Sequence, residues 1–470
     1  MIAVGNGDKT RLTDPSDARA LFLITWTWMD GRSPVHAIVT SLWRALHELG
    51  APASTEQIER CGFSIHAALS AAGREFHNHD HVIDLCADGD PLEVIAALYH
   101  DAVYIQVDLG PPRSMRDELE GILAQDASGW KVLPGAMDEA GDVLVVFDRK
   151  VGDLVTPTTG LNEIASAICA QVQLRGILTR EQQIAVAACI EQTIPFRADP
   201  VPALHDRLAR LGLVGSVLIE AVERAVRVGN RDVENFSDND PARFLDNTWK
   251  LLPESNPALH HPLVYTVRDY RIALQKMEGF LAWLPAERVF HAWGNEPKHE
   301  VHARRVARTT GNLQLAVRYL RAKLYSISIV EAIAELTGGD VPIDFFMGGL
   351  KPAPGTSNTG KRIEQFLPSL SNAPDLDASL HRLLAEGRAS ESSFDTGPSP
   401  LAAFLHASCG ETAVMKGVEQ AKRWWGGGCD ANELLASQPA APMAAIARAA
   451  GNIMDTRRDR LFALADRLSR

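Results

Sequence analysis

The 470-residue sequence holds no pair of cysteines at C-x-x-C spacing, no apolar run long enough to cross a bilayer, and no surplus of basic residues. Each absence removes a class of function. The six cysteines, Cys61, Cys86, Cys169, Cys189, Cys409 and Cys429, are scattered through apolar helical patterns. That argues against a zinc knuckle or a disulfide framework and for buried thiols in a reducing compartment. The apolar stretch at residues 20–29 is too short for a membrane span and contains two threonines. Asp8, Asp14 and Asp17 precede it, which is unlike a signal peptide. A cytoplasmic protein without membrane association is expected. Lys and Arg number 47 against 59 Asp and Glu, a net charge of −12, so general nucleic-acid binding is not expected. A small phosphorylated molecule in a local site remains compatible with that charge. There is no G-x-x-x-x-G-K-(S/T) phosphate loop, no G-x-G-x-x-G after a strand and no G-x-S-x-G nucleophile turn.

The apolar content, 46%, is enough for a sizeable core, and the length suits two or three domains. Most of the chain carries helical spacing. Pro34 opens one helix, Ser54 opens a second, residues 80–87 make a third, and Asp90-Pro91 caps a fourth that runs on to Tyr104. Residues 106–160 differ and read as an insertion. Within it, Lys131-Val132-Leu133 and the run Val143-Leu144-Val145-Val146-Phe147 flank a polar turn and predict a β-hairpin. Helical patterns resume at residue 161. They include residues 213–228, 241–252, 265–284, 299–310 and 312–337, with loops at 348–360 and 390–400. A mainly helical, all-α fold follows, with a domain boundary near residues 238–240.

One stretch carries chemistry. Arg74-Glu75-Phe76-His77-Asn78-His79-Asp80-His81-Val82 is followed by Tyr99-His100-Asp101-Ala102-Val103-Tyr104. His77 and His81 are four apart and share a face of a helix. His100 and Asp101 stand at the end of an apolar helix, where a metal would offset the cost of burying Asp101. Imidazole and carboxylate groups suit Mn, Fe, Co, Ni or Zn, and the sequence does not choose among them. A second group, His291, Glu296, His299, Glu300 and His302, is interrupted by Pro297 and reads as a solvated face.

These motifs resemble the HD superfamily of metal-dependent phosphohydrolases, in particular its group of small bacterial predicted hydrolases. The similarity covers about residues 60–235 and includes Asn162-Glu163 after the insertion. It implies an HD-type helical bundle over residues 1–238, interrupted by the inserted hairpin. Residues 239–470 then form a helical C-terminal domain of unknown role. It also implies a divalent metal held by His77 or His81, with His77 favoured, by His100 and Asp101, and by a distant Asp. Asp232 is the choice for that Asp, with Asp199 and Asp206 as rivals. Asp101 is expected to accept a proton from water or to bridge a second metal. Glu163 is expected to act beside the metal. Arg74 and Asn162 are expected to contact the substrate. One departure is the segment after Thr193, where Ile194-Pro195-Phe196 stands in place of polar residues. The implied function is hydrolysis of a phosphate ester, possibly a nucleotide. The alternative is a catalytically degenerate ligand-binding or scaffold protein whose C-terminal helices bind a partner.

Overall fold

The computed structural model describes residues 33–260, 264–349, 360–390 and 392–470; the stretch 20–29 and most of the loop at 348–360 lie outside them. Apart from one small sheet, the regular structure is helical, in keeping with the patterning. Helices of seven or more residues are numbered here.

The first half contains α1 (Pro34–Glu48), α2 (Thr55–Leu69), α3 (His79–Leu85), α4 (Pro91–Tyr99), α5 (Ala136–Val146), α6 (Leu161–Gln173), α7 (Arg180–Gln192), α8 (Val201–Arg210) and α9 (Gly215–Asp232). Local signals fix their starts. Ser54 and Gln57 cap α2 reciprocally, Thr179 and Gln182 do the same for α7, and Asp90 accepts from Leu92 and Glu93 to start α4. The buried faces of these helices share one apolar core that runs from Ile38 to Val228. Helix α9 lies close against α7: a Cβ at Gly229 would stand 2.6 Å from the Gln192 carbonyl oxygen, so only glycine fits there.

The insertion differs from the expectation. Its hairpin is formed by β1 (Leu123–Asp126) and β2 (Gly129–Val132), antiparallel, with Leu123 opposite Val132; β3 (Leu154–Val155) pairs on the other side of β2. The run Val143–Phe147 is not a strand, because α5 takes it up to Val146. Its β-branched residues favour a strand locally, but Ala136, Ala140, Val143 and Leu144 form one helical face. That face is buried against the rest of the first core. Met115, Leu119 and Ile122 join the same core, so the segment is part of the bundle and not an appendage. Helix α4 also ends sooner than the apolar run suggests, at Tyr99.

The second half contains α10 (Pro241–Ser255), α11 (Val267–Trp283), α12 (His299–Thr337), α13 (Ala378–Glu386), α14 (Pro400–Cys409), α15 (Glu411–Trp425), α16 (Ala440–Gly451) and α17 (Arg458–Leu468). The two patterns at 299–310 and 312–337 are one helix of 39 residues, about 58 Å long at 1.5 Å per residue. Gly311 does not break it, at a cost of about 1 kcal/mol relative to alanine. Helix α12 runs through a second core that begins at Val233. The cores therefore divide between Val228 and Val233, several residues before the expected boundary. In the second core, Asp395 Oδ2 accepts from Trp249 Nε1 at 2.9 Å, Tyr270 OH at 2.6 Å and Lys323 Nζ at 2.5 Å, which ties α10, α11 and α12 together.

The halves interlock. Phe196 packs against Phe236 and Phe280 of the second core, which accounts for an apolar residue after Thr193. In the other direction Trp293 packs on the first core and on His205. Asn230 bonds both backbone groups of His291, at 2.9 and 2.8 Å.

Candidate metal centre

Three helix ends meet at the site. Asn78 caps α3 by accepting from the backbone of Asp80 and His81, which sets the first turn and aims His81 inward. The buried α4 delivers His100 at its C-cap, with Asp101 following. Helix α9 ends on Asp232. Its last turn is locked onto the start of α4, because Arg227 Nε donates to Glu93 Oε1 at 2.6 Å and Arg231 pairs with the other oxygen of Glu93.

Four side-chain atoms converge there. His100 Nε2 lies 2.9 Å from Asp101 Oδ2 and 3.4 Å from Asp232 Oδ1. His81 Nε2 lies 3.0 Å from Asp232 Oδ1 and 3.5 Å from Asp101 Oδ2. His100 Nδ1 donates to the carbonyl of Ala97 at 2.8 Å, which leaves its Nε2 facing the carboxylates. His100 Nε2 and Asp101 Oδ2 are buried without a well-formed hydrogen bond. Two carboxylates and two imidazole nitrogens so close demand positive charge, either protons on the rings or a cation. Burial alone would raise Asp101, yet His100 and His77 beside it hold its carboxyl well below the usual carboxylate range.

The donor set fits a divalent metal. Ligands about 2.1 Å from a central ion stand roughly 3.0–3.4 Å apart in octahedral or tetrahedral arrangements. The observed separations, 2.9 to 3.5 Å, match. Among the described residues, His81, His100 and Asp101 form the group whose ligand atoms lie within 4.8 Å of one another, and Asp232 adjoins it.

The other expected residues fall into distinct places. His77 is beside the cluster, its ring 5.9 Å from that of His81, but its Nδ1 is held by Glu254 Oε2 at 2.5 Å. Burial pulls His77 down, and Glu254, Asp101 and Asp232 outweigh that and lift it to about 9. His79 faces away, stacked on His66 and bonded to Ser70. Glu163 is half-buried, its Oε2 buried and unpartnered, and desolvation, then the nearby Asp101 and Asp232, push its carboxyl up to about 7. Asp206 is exposed beside His205, away from the cluster. Arg74 corrects the expectation of a phosphate contact. Its guanidinium is fully buried, pairs with Asp108 at 2.5 Å and donates to the Asp101 carbonyl at 2.6 Å. Asn162 is likewise structural: its Oδ1 accepts from the Ile105 backbone at 3.1 Å and pins the chain beyond the His-Asp pair.

Glu254 escaped the sequence reading. Its Oε1 accepts from the backbone N–H of Phe76 at 2.7 Å and of His77 at 3.1 Å, so a residue of the second half anchors the histidine loop of the first. A cleft of about 520 Å³ opens over His81 and Asp232, with walls from α3, the end of α9, and α10. The group at 291–302 holds no metal cluster: His302 bonds the Phe290 carbonyl and Glu296 pairs with Arg227. No helix among the described residues is long and apolar enough to cross a membrane. Compared with family models, with curated proteins and with solved structures, the chain shows no match.

Proposed function

We propose that this protein is a metal-dependent phosphohydrolase acting on a small phosphate ester. The observation that carries the reading is the convergence of His81, His100, Asp101 and Asp232, two of which, His81 and Asp232, line a cleft. A divalent ion bound by these residues supplies Lewis-acid polarisation of a phosphoryl oxygen and activation of water. The chain's own groups do the rest. Asp101 would hold the ion through Oδ2. Glu163, whose Oε2 is buried without a partner, is the carboxyl left to store or return a proton. Arg74 fixes the backbone of the His-Asp pair, and Glu254 fixes that of His77. A cytoplasmic location belongs to the same reading and agrees with six free cysteines.

The test is metal analysis of the purified protein, followed by assays on p-nitrophenyl phosphate and bis-p-nitrophenyl phosphate with Mn, Co, Ni or Zn added. Turnover that chelation abolishes and metal restores is expected. Stoichiometric metal with no turnover of any ester would sink the hydrolase reading and leave a ligand-binding unit.

A further inference from the structure

Helix α10 belongs to the second core, yet one of its faces looks into the cleft. Arg243, Asn247 and Lys250 lie along that face at helical spacing, and Glu254, one turn further, is the residue that grips His77. The cleft-lining members differ in how far they are committed. Arg243 is drawn to Asp238 at 3.5 Å. Lys250 has one loose pairing, with Asp246 at 3.4 Å. The Asn247 amide makes no hydrogen bond among the described residues. Facing them across the cleft are Asp80 and Asp84 on α3, and Asp88 just beyond it, none of which has an ion pair among the described residues. Carboxylates in the lining outnumber cationic side chains seven to three, and the third cation, Arg231, is engaged with Glu93 and the Ala87 carbonyl.

The geometry points to α10 as the wall that reads the substrate: Lys250 and Asn247 hold the oxygens of a single phosphate group at the mouth of the metal centre, and the carboxylates opposite exclude a ligand with a second phosphate. This rests on the reading of the metal centre as a site of phosphate chemistry. The ammonium of Lys250 is a half-buried point charge whose loose pairing leaves it free to turn from Asp246 to a phosphate, and an amide next to it donates two further hydrogen bonds. A metal ion would take one phosphate oxygen as a Lewis acid, and the lysine offsets one unit of the phosphate charge. A second phosphate would lie among Asp80, Asp84 and Asp88, where like charges repel. A cleft of about 520 Å³ has room for a hexose-sized alcohol.

The full chain, loaded with Mn, is titrated calorimetrically with inorganic phosphate, a hexose 6-phosphate and the hexose 1,6-bisphosphate. Monophosphate should bind roughly tenfold tighter than bisphosphate. Lys250→Ala and Lys250→Met should each weaken phosphate and monophosphate roughly tenfold, as expected for one charge-assisted hydrogen bond, with Mn content unchanged. Asp84→Asn should narrow the gap between the two sugars. Bisphosphate binding as tightly as monophosphate, phosphate affinity indifferent to both Lys250 variants, or wild-type protein that binds no phosphate overturns the proposal. Turnover of p-nitrophenyl phosphate on the same samples separates the two readings. Lysine-dependent phosphate binding without turnover upholds the wall and removes the hydrolase; turnover with KM unmoved in both lysine variants does the reverse.

Discussion

Glu254 and His77 stand 177 positions apart in sequence, and the carboxylate of one holds the ring of the other at 2.5 Å. The same carboxylate takes two backbone N–H groups of the histidine loop. Such outer partners fix the orientation of the groups that meet a metal, and their loss typically costs tenfold or more in affinity. Glu254→Ala should therefore weaken Mn or Zn binding roughly tenfold while the helical content, read by circular dichroism, stays that of the wild type. An unchanged affinity in a competition titration would show that the loop holds its shape without Glu254.

Removal of the cluster's own members should be more severe. In wild-type protein, metal at about a hundredfold over its dissociation constant adds about 2.7 kcal/mol of stability. His100→Ala, Asp101→Ala and Asp232→Ala should each lose most of that increment in thermal melts, and Asp206→Ala should keep it, since Asp206 is exposed and away from the cluster. Metal-dependent stabilisation that survives in Asp232→Ala and disappears in Asp206→Ala would place the fourth ligand elsewhere.

Arg74 is expected to act on stability and not on substrate. It is buried, paired with Asp108, and donates to the carbonyl of Asp101. Breaking such a pair strands a buried carboxylate, at about 3–5 kcal/mol. Urea unfolding of Arg74→Ala should show that loss. A stable variant with raised KM alone would return Arg74 to substrate binding.

The inserted segment should prove indispensable. Leu144 and Val143 of α5 are buried in the first core. Leu144→Ala should cost about 2–5 kcal/mol. Deletion of residues 130–150 should leave the first half unfolded, because it removes nearly all of β2 and the whole of α5 together. A deletion variant with wild-type melting behaviour would mean that the bundle closes without them.

His291 gives a pH signature. Burial, then Arg197, lower it to about 4, against the opposing pull of Asp199 and Glu191. Below pH 6.5 the unfolded chain takes up a proton there that the folded chain refuses until about pH 4, so stability falls as pH drops through that window. His291→Gln should melt with a shallower decline between pH 6.5 and 4 than the wild type. Identical slopes would show that the folded ring titrates normally.

Much of this was legible in the chain. Helical periodicity carried the fold class because most helices bury one face. The His100-Asp101 pair stood out because its residues are consecutive at the end of an apolar helix; Asp232, picked through the resemblance beside Asp199 and Asp206, is found next to that pair. The motif favoured His77, and the structure corrects it: His81 is the histidine in the cluster. Both share the motif, and what separates them is a carboxylate 177 residues away. Glu254 left no local trace, since a glutamate near a helix end has many ordinary uses. The run at 143–147 misled because β-branched residues favour strands until a helical face and a core to bury it are known. Arg74 misled because a sequence does not tell a buried guanidinium from an exposed one.

Asp232 and Val233 are neighbours in sequence, yet Asp232 closes the His-Asp cluster and Val233 is the first residue of the second core. One peptide bond thus joins a carboxylate of the cluster to a separate hydrophobic body. The Glu254 grip on the histidine loop ties the cluster to that body from the other side. The cluster thus sits on a seam, and an ion bound there would act as a clasp between the two bodies, drawing its ligands from one while the other holds their frame in place.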